Sequence, residues 1–293
     1  MKRQRKDGSM IEKNAVWLIT GCSTGLGRAI AQQALTSGYR VVVSARDPST
    51  LADIVAEHEG TALAVELDVT KPDQVRTAIG QAEDRFGAVD VLVNNAGYGY
   101  VAAIEEGEDA DVRTMFETNV FGTWTMIKAV LPGMRARRRG HIVNISSVGG
   151  IVTFPAVGFY HMTKFAVEAL SETLAQETAP LGIGVTVVEP GAFRTDFRGR
   201  SMKKSGIRLP DYEETAGKGR DGVLAGHGKQ QGDPARGARA IIAAVEAERP
   251  PIHLVIGGDA LDLIREKIAS LELELDSWEP VTRSTNFQAA SNT

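Results

Sequence analysis

A chain of 293 residues, 43% hydrophobic and 24% charged, has ample material for the core of one large or two small globular domains. Its net charge of −4 argues against general nucleic-acid binding, and no run reaches the ~18–20 consecutive apolar residues that a membrane span needs. The single cysteine, Cys22, excludes an internal disulfide and points to a reducing, cytoplasmic location.

Residues 1–14 are basic and polar with no apolar h-region, so a disordered extension is expected rather than a secretory signal, and Met10 offers an alternative start. From Ala15 onward, runs rich in Val and Ile alternate with stretches of helical period. Strand Val16–Thr20, helix Leu26–Ser37, strand Arg40–Ser44 and helix Ser49–His58 are predicted first. Strand Ala62–Glu66, helix Pro72–Phe86, strand Val89–Asn94 and a long helical region Asp109–Arg137 follow. The Arg135–Arg139 cluster closes that region, where cations complement the helix dipole. Strand His141–Ser146, helix Gly158–Leu181 and strand Gly184–Val188 complete the alternation. Continuous apolar strands separated by helices predict a doubly wound α/β fold, its parallel sheet covered on both faces.

After Gly191 the pattern gives way to a polar, glycine-bearing stretch, residues 192–232, which reads as a lid or as disorder. A helix capped at Asp233-Pro234 and running to Glu248 is predicted next, then strand Ile252–Ile256 and an amphipathic helix Asp259–Leu275. Residues 277–293, rich in Ser, Thr and Asn, read as a frayed tail. With no internal repeat and no second core, residues 15–276 are expected to form one domain.

Two constellations carry chemistry. Thr20-Gly21-Cys22-Ser23-Thr24-Gly25-Leu26-Gly27 joins the first strand to the first helix, where glycines let backbone N–H groups approach a pyrophosphate at the positive helix end. Tyr160 and Lys164 are four apart on a predicted helix, thirteen and more residues beyond Ser147 at a strand end. A phenol titrates near ~10 and is a poor base at neutral pH unless a neighbouring cation favours the phenolate. A serine hydroxyl beside it can hold a substrate oxygen. The five histidines show no metal-ligand spacing with one another or with Cys22, so no metal site is expected.

The glycine loop, Asp68-Val69, Asn94-Asn95-Ala96-Gly97, Asn119, Ser147, Tyr160, Lys164, Pro190-Gly191 and Thr195, in that order, resemble the short-chain dehydrogenase/reductase family of compact single-domain type. The resemblance implies a Rossmann-like three-layer αβα sandwich around a mostly parallel seven-stranded sheet. It implies reversible hydride transfer between a nicotinamide and a carbonyl or secondary alcohol. Tyr160 would be the general acid/base, Lys164 would lower its pKa and hold the nicotinamide ribose, Ser147 would orient the substrate oxygen, and Asn119 would support a relay water. Gly21, Ser23, Thr24, Gly25, Leu26 and Gly27 would hold the pyrophosphate. Asp68 and Val69 would contact adenine, Asn95, Ala96 and Gly97 would line the floor, and Pro190, Gly191 and Thr195 would close over the nicotinamide amide. Ser146 should face away from Ser147.

Cofactor choice is read at the end of the second strand, where Ala45 and Arg46 stand in place of an acidic residue. The guanidinium suits a 2′-phosphate, so NADP(H) is favoured and NAD remains possible. Tyr98, Tyr100, Ile151, Phe154, Phe193 and Phe197 are pocket candidates and favour an apolar ketone or alcohol. The lid cations Arg194, Arg198, Arg200, Lys203, Lys204 and Arg208 suit an anionic 3-oxoacyl thioester or a clamp on the cofactor phosphates. A cofactor-sensing protein without turnover is the reading from another class. By resemblance, the chain would pair as a homodimer or homotetramer through helices 109–137 and 158–181.

Overall fold

The structure, a computed structural model, describes residues 11–287. In chain order its strands are β1 Val16–Ile19, β2 Arg40–Ala45, β3 Ala62–Glu66, β4 Val91–Asn94, β5 Gly99–Val101, β6 Gly140–Ile145, β7 Ile183–Pro190, β8 Met202–Lys204 and β9 His253–Ile256. The α-helices are α1 Gly25–Thr36, α2 Ala52–Glu57, α3 Pro72–Phe86, α4 Asp109–Phe116, α5 Thr123–Arg137, α6 Gly158–Thr178, α7 Lys218–Ala225, α8 Pro234–Glu246 and α9 Gly258–Ser284.

Seven strands form one sheet in the order β3-β2-β1-β4-β6-β7-β9, every neighbouring pair parallel. Successive residues of a strand face opposite sides, so β1 feeds two cores at once. Trp17 and Ile19 join the layer beneath α1 and α8, with Ile30, Ala34, Ile241 and Val245, while Val16 and Leu18 join the layer beneath α3, α5 and α6, with Val75, Ile79, Met126 and Leu174. This is the Rossmann-like three-layer sandwich expected. The chain runs outward from β1 to β3 and then returns to β4, which leaves a crevice beyond the C-terminal ends of β1 and β4.

Local chemistry sets the helix ends. Asp233 caps α8 by accepting from the N–H groups of Ala235 and Arg236, and Pro234 occupies the first turn, where no N–H is needed. The long helical region is not continuous α-helix: a π-turn over Glu117–Gly122 separates α4 from α5 and carries Asn119.

Four expectations are corrected. Residues 192–232 are not structureless: they carry β8, α7 and short helical turns, and β8 pairs in parallel with β5 as a separate two-stranded sheet. The last helix does not end at Leu275 but runs to Ser284, so the first part of the expected tail is helical. The fourth strand starts at Val91 rather than Val89. At the N-terminus, Ile11 is buried in the core layer beneath α8 and Glu12 pairs with Arg139, so the last residues of the supposed extension are packed. Residues 1–10 and 288–293 lie outside the described residues.

Candidate active site

The glycine loop leaves β1 and opens α1 at the crevice. Asn95, at the end of β4, donates from Nδ2 to the carbonyls of Thr20 (2.9 Å) and Gly21 (3.1 Å), and Thr20 Oγ1 accepts from the N–H groups of Asn95 and Ala96, both 2.9 Å. A side chain at Gly27 would collide with Asn95 Nδ2, so the close approach of helix to strand end requires glycine there. At the N-terminus of α1 the Thr24 side chain makes no cap and no acidic residue occupies the first turn. Its leading N–H groups and the positive helix end are therefore open to an anion, and the residues fit a dinucleotide pyrophosphate. Cys22 turns inward, its S–H donating to the Ile19 carbonyl (3.2 Å), and burial pushes its pKa up to about 12.

Arg46 stands exposed just past β2, beside the buried Ala45. Asp47 does not compete with it: its Oδ1 accepts from the N–H (3.0 Å) and hydroxyl (2.7 Å) of Ser49, which hold its pKa down. Asp68 Oδ1 likewise accepts from the N–H and hydroxyl of Thr70, and Val69 is buried against Gly122.

On the other side of the crevice, α6 presents Tyr160 and Lys164 on one face, and Ser147 follows β6. The Ser147 hydroxyl lies beside the Tyr160 phenol and favours its ionised form, and its oxygen accepts from the Gly149 N–H (3.0 Å). Lys164 Nζ lies 5.6 Å from the Tyr160 ring centre and donates to the Ile145 carbonyl (2.8 Å). Burial dominates and pushes Tyr160 up to about 12, with only the Ser147 hydroxyl opposing it. Burial also lowers Lys164 to about 8, partly countered by Glu168.

Asn119 is buried in the π-turn. Its Nδ2 donates to the Tyr98 carbonyl (2.9 Å) and Thr163 Oγ1 (3.1 Å), and its Oδ1 accepts from the Tyr98 N–H (3.1 Å). A side-chain carbon at Gly97 would lie 3.0 Å from Asn119 Oδ1 and 4.0 Å from Lys164 Nζ, so Lys164, Asn119 and the segment after β4 meet around one glycine. Ser146 lies against Glu168 of α6 rather than against Tyr160.

The segment after β7 folds over this crevice. Pro190-Gly191 ends the strand, the Thr195 side chain rests against Gly25, and Arg200 Nη2 donates to Thr24 Oγ1 (2.7 Å). Phe197 stacks 5.5 Å from the Tyr160 ring and packs with Tyr98 and Phe159 in a small apolar cluster. The Tyr98 hydroxyl is buried with no hydrogen-bond partner among the described residues. Two grooves flank the π-turn, one of about 260 Å³ lined by Val69, Glu117 and Phe121 and one of about 480 Å³ lined by Glu117, Phe121 and Phe159.

A family model described as short chain dehydrogenase matches residues 15–206, which span the glycine loop, the trio and the start of the lid. The chain belongs to the short-chain dehydrogenase family. A short-chain dehydrogenase from Streptomyces avermitilis superposes with a TM-score of 0.88 at 44% identity, over 94% of this chain and 100% of that one. A 3-ketodihydrosphingosine reductase from Bacteroides thetaiotaomicron is 37% identical over 82% of this chain and 87% of its own length. Relatives have been solved with either nicotinamide. A Burkholderia phymatum protein in complex with NAD is 24% identical (TM-score 0.77, 89% and 95% coverage), and an alcohol dehydrogenase from Thermococcus sibiricus complexed with 5-hydroxy-NADP is 28% identical (TM-score 0.68, 83% and 95%). The chain is thus an oxidoreductase of the short-chain dehydrogenase family with a nucleotide-binding Rossmann-like fold.

Within this dehydrogenase several pocket candidates belong to the core. Tyr100 is fully buried, its hydroxyl accepting from the Glu108 N–H (3.1 Å), and Phe193 packs on Gly232 and Gly237 beneath α8. Phe154 sits edge-on to His161, and Ile151 follows the turn after Ser147. The lid cations are largely engaged: Arg194 with the Gln230 carbonyl, Lys203 with Asp111, Arg208 with Glu213. Two polar groupings were invisible in the sequence. Buried Arg220 of α7 pairs with buried Glu106, and Glu168, one turn beyond Lys164 on α6, meets Glu189 and His253, with His253 Nδ1 2.8 Å from Glu189. Arg220 and Glu106 are 114 residues apart and His253 stands 64 residues from Glu189, so no short-range pattern announces either grouping. Among the described residues, no helix is long and apolar enough to cross a membrane.

Proposed function

We propose that the chain is an NADP(H)-dependent reductase of apolar ketones, running in reverse as a secondary-alcohol dehydrogenase, with Ser147, Tyr160, Lys164 and Asn119 as its catalytic group. The observation that carries this reading is buried Tyr160 with buried Lys164 one turn on, its Nζ 5.6 Å from the phenol ring, and the Ser147 hydroxyl beside them. When bound, the reduced nicotinamide supplies the hydride. Ser147 already accepts from Gly149 N–H, so its own O–H is available to a substrate oxygen. Tyr160, with its pKa up at about 12, holds its proton at neutral pH and donates it as the carbonyl becomes an alkoxide. Lys164 is a cation below about 8 and steadies that charge.

Arg46 supports NADP(H), since the Asp47 carboxylate is turned to Ser49 and leaves the guanidinium to a 2′-phosphate. Arg200, reaching Thr24, adds a cation above the pyrophosphate position. An apolar ketone is favoured over an anionic thioester for two reasons. Phe197 and Tyr98 pack beside Tyr160, and the lid cations Arg194, Arg200, Lys203 and Arg208 already have partners. The Bacteroides relative is named for a keto substrate. The cytoplasm remains the proposed location, and the helices of residues 109–137 and 158–181 the proposed pairing surface.

The test is a panel of apolar ketones and a 3-oxoacyl thioester, followed at the reduced-nicotinamide absorbance with NADPH and NADH in parallel. Apolar ketones should turn over with NADPH, and Tyr160→Phe should lose at least ~100-fold in kcat while still binding NADPH. Arg46→Ala should weaken NADPH by roughly 10-fold or more and leave NADH nearly unchanged. Retained turnover in Tyr160→Phe, or a preference for NADH, overturns the corresponding assignment.

A further inference from the structure

The last helix leaves the body of the molecule early. Ala260 and Ile264 are its buried residues, and from Arg265 to Phe287 every residue is exposed. Its sequence is nevertheless not that of a solvated helix. Leu261, Ile264, Ile268, Leu271, Leu275 and Trp278 recur at alternating spacings of three and four, the a and d positions of a heptad repeat. Beyond the body, this seam leaves Ile268 51%, Leu271 45%, Leu275 61% and Trp278 62% exposed. A lone helix with an uncovered apolar seam is marginal in water and needs a partner for that face.

The charges flanking the seam identify the partner. Arg265 and Lys267 stand on the N-terminal side of its centre, Glu272 and Glu274 on the C-terminal side, and none of the four is ion-paired with a described residue. An antiparallel copy of the same helix, with the two-fold between Ala269 and Ser270, satisfies seam and flanks in one register. It sets Leu261 against the partner's Trp278, Ile264 against the partner's Leu275 and Ile268 against the partner's Leu271. The same register brings Lys267 to the partner's Glu274 and Arg265 to the partner's Glu272. A parallel pair would instead set Glu274 against the partner's Glu279. We propose that α9 is a self-association element and pairs antiparallel with α9 of a second copy of this chain. This contact is separate from the α4, α5 and α6 surfaces and does not depend on the proposed chemistry.

The experiment uses the full chain. Sedimentation velocity should show an assembly that Lys267→Glu weakens by roughly 10-fold or more, because each pair then holds two like-charge contacts. Lys267→Glu/Glu274→Lys should restore it. Spin labels on Ser284→Cys, with Cys22 buried, should lie on the order of 40 Å apart in an antiparallel pair and roughly 10 Å apart in a parallel one. A monomeric chain, an assembly indifferent to the charge reversal, a short label separation, or a monomer that binds phospholipid vesicles through this helix would each overturn the proposal.

Discussion

Glu168 stands one turn beyond Lys164 on α6, enclosed by Glu189 of β7 and His253 of β9, with Glu172 at the rim. Burial is the largest influence on it and pushes its pKa up to about 7, with the nearby Ser146 hydroxyl opposing the shift. An unfolded chain releases that proton near ~4.3, so between the two values the native state binds more protons and its stability falls as pH rises. Below the unfolded value the contribution is fully present. Glu168→Gln should therefore be more stable than the parent at pH 8, by on the order of 1–3 kcal/mol, with the gap closing toward pH 4. Urea unfolding across that range checks it, and a gap that ignores pH would sink the linkage. The same substitution removes a charge that raises Lys164, so that cation should lose its proton at lower pH.

At the scale of elements, Glu106 holds the lid to the body. Burial would raise this carboxylate, but the N–H groups of Leu209 and Ala103 and the Arg220 guanidinium outweigh it and keep the pKa below the usual carboxylate value. Ser205 adds a bond to the Glu106 carbonyl, and the β5–β8 pair is a further stitch between the same two segments. Arg220→Met strands a buried carboxylate and should cost about 3–5 kcal/mol, whereas Glu106→Gln/Arg220→Met should recover part of that loss. Hydrogen exchange should report the change over residues 196–225 before it reaches the sheet. Equal protection of lid and sheet in the single variant would mean that the pair does not hold the lid. Strands β5 and β8 are only three residues long each and have no apolar run, so neither was legible in the sequence.

For the whole molecule, two ends of the chain define how much of it is packed. Ile11, inside the stretch that reads as a polar extension, is 5% exposed in the layer shared with α1 and α8. Ile11→Ala should cost about 2–4 kcal/mol of global stability, measured by denaturant unfolding, because it leaves a cavity under a covering helix. A loss near zero would show that this segment is not part of the cooperative core. At the other end α9 leaves the body with its seam uncovered, which is why chain composition alone could not reveal it as a separate feature.

By itself the sequence determined the alternation of strands and helices, because the inner sheet strands are Val- and Ile-rich runs whose burial on both faces leaves little freedom of type. It also determined the glycine loop and the approach of Tyr160 to Lys164, which are local in the chain and obey backbone geometry and helical spacing. The tertiary structure decided what depends on distant partners. It brought Asn119 to Tyr98 and Thr163, paired Arg220 with Glu106, and joined Glu168, Glu189 and His253. It also set the balance at Tyr160. Spacing alone put a cation beside the phenol, but desolvation depends on everything packed around it, and it outweighs the lowering by Ser147.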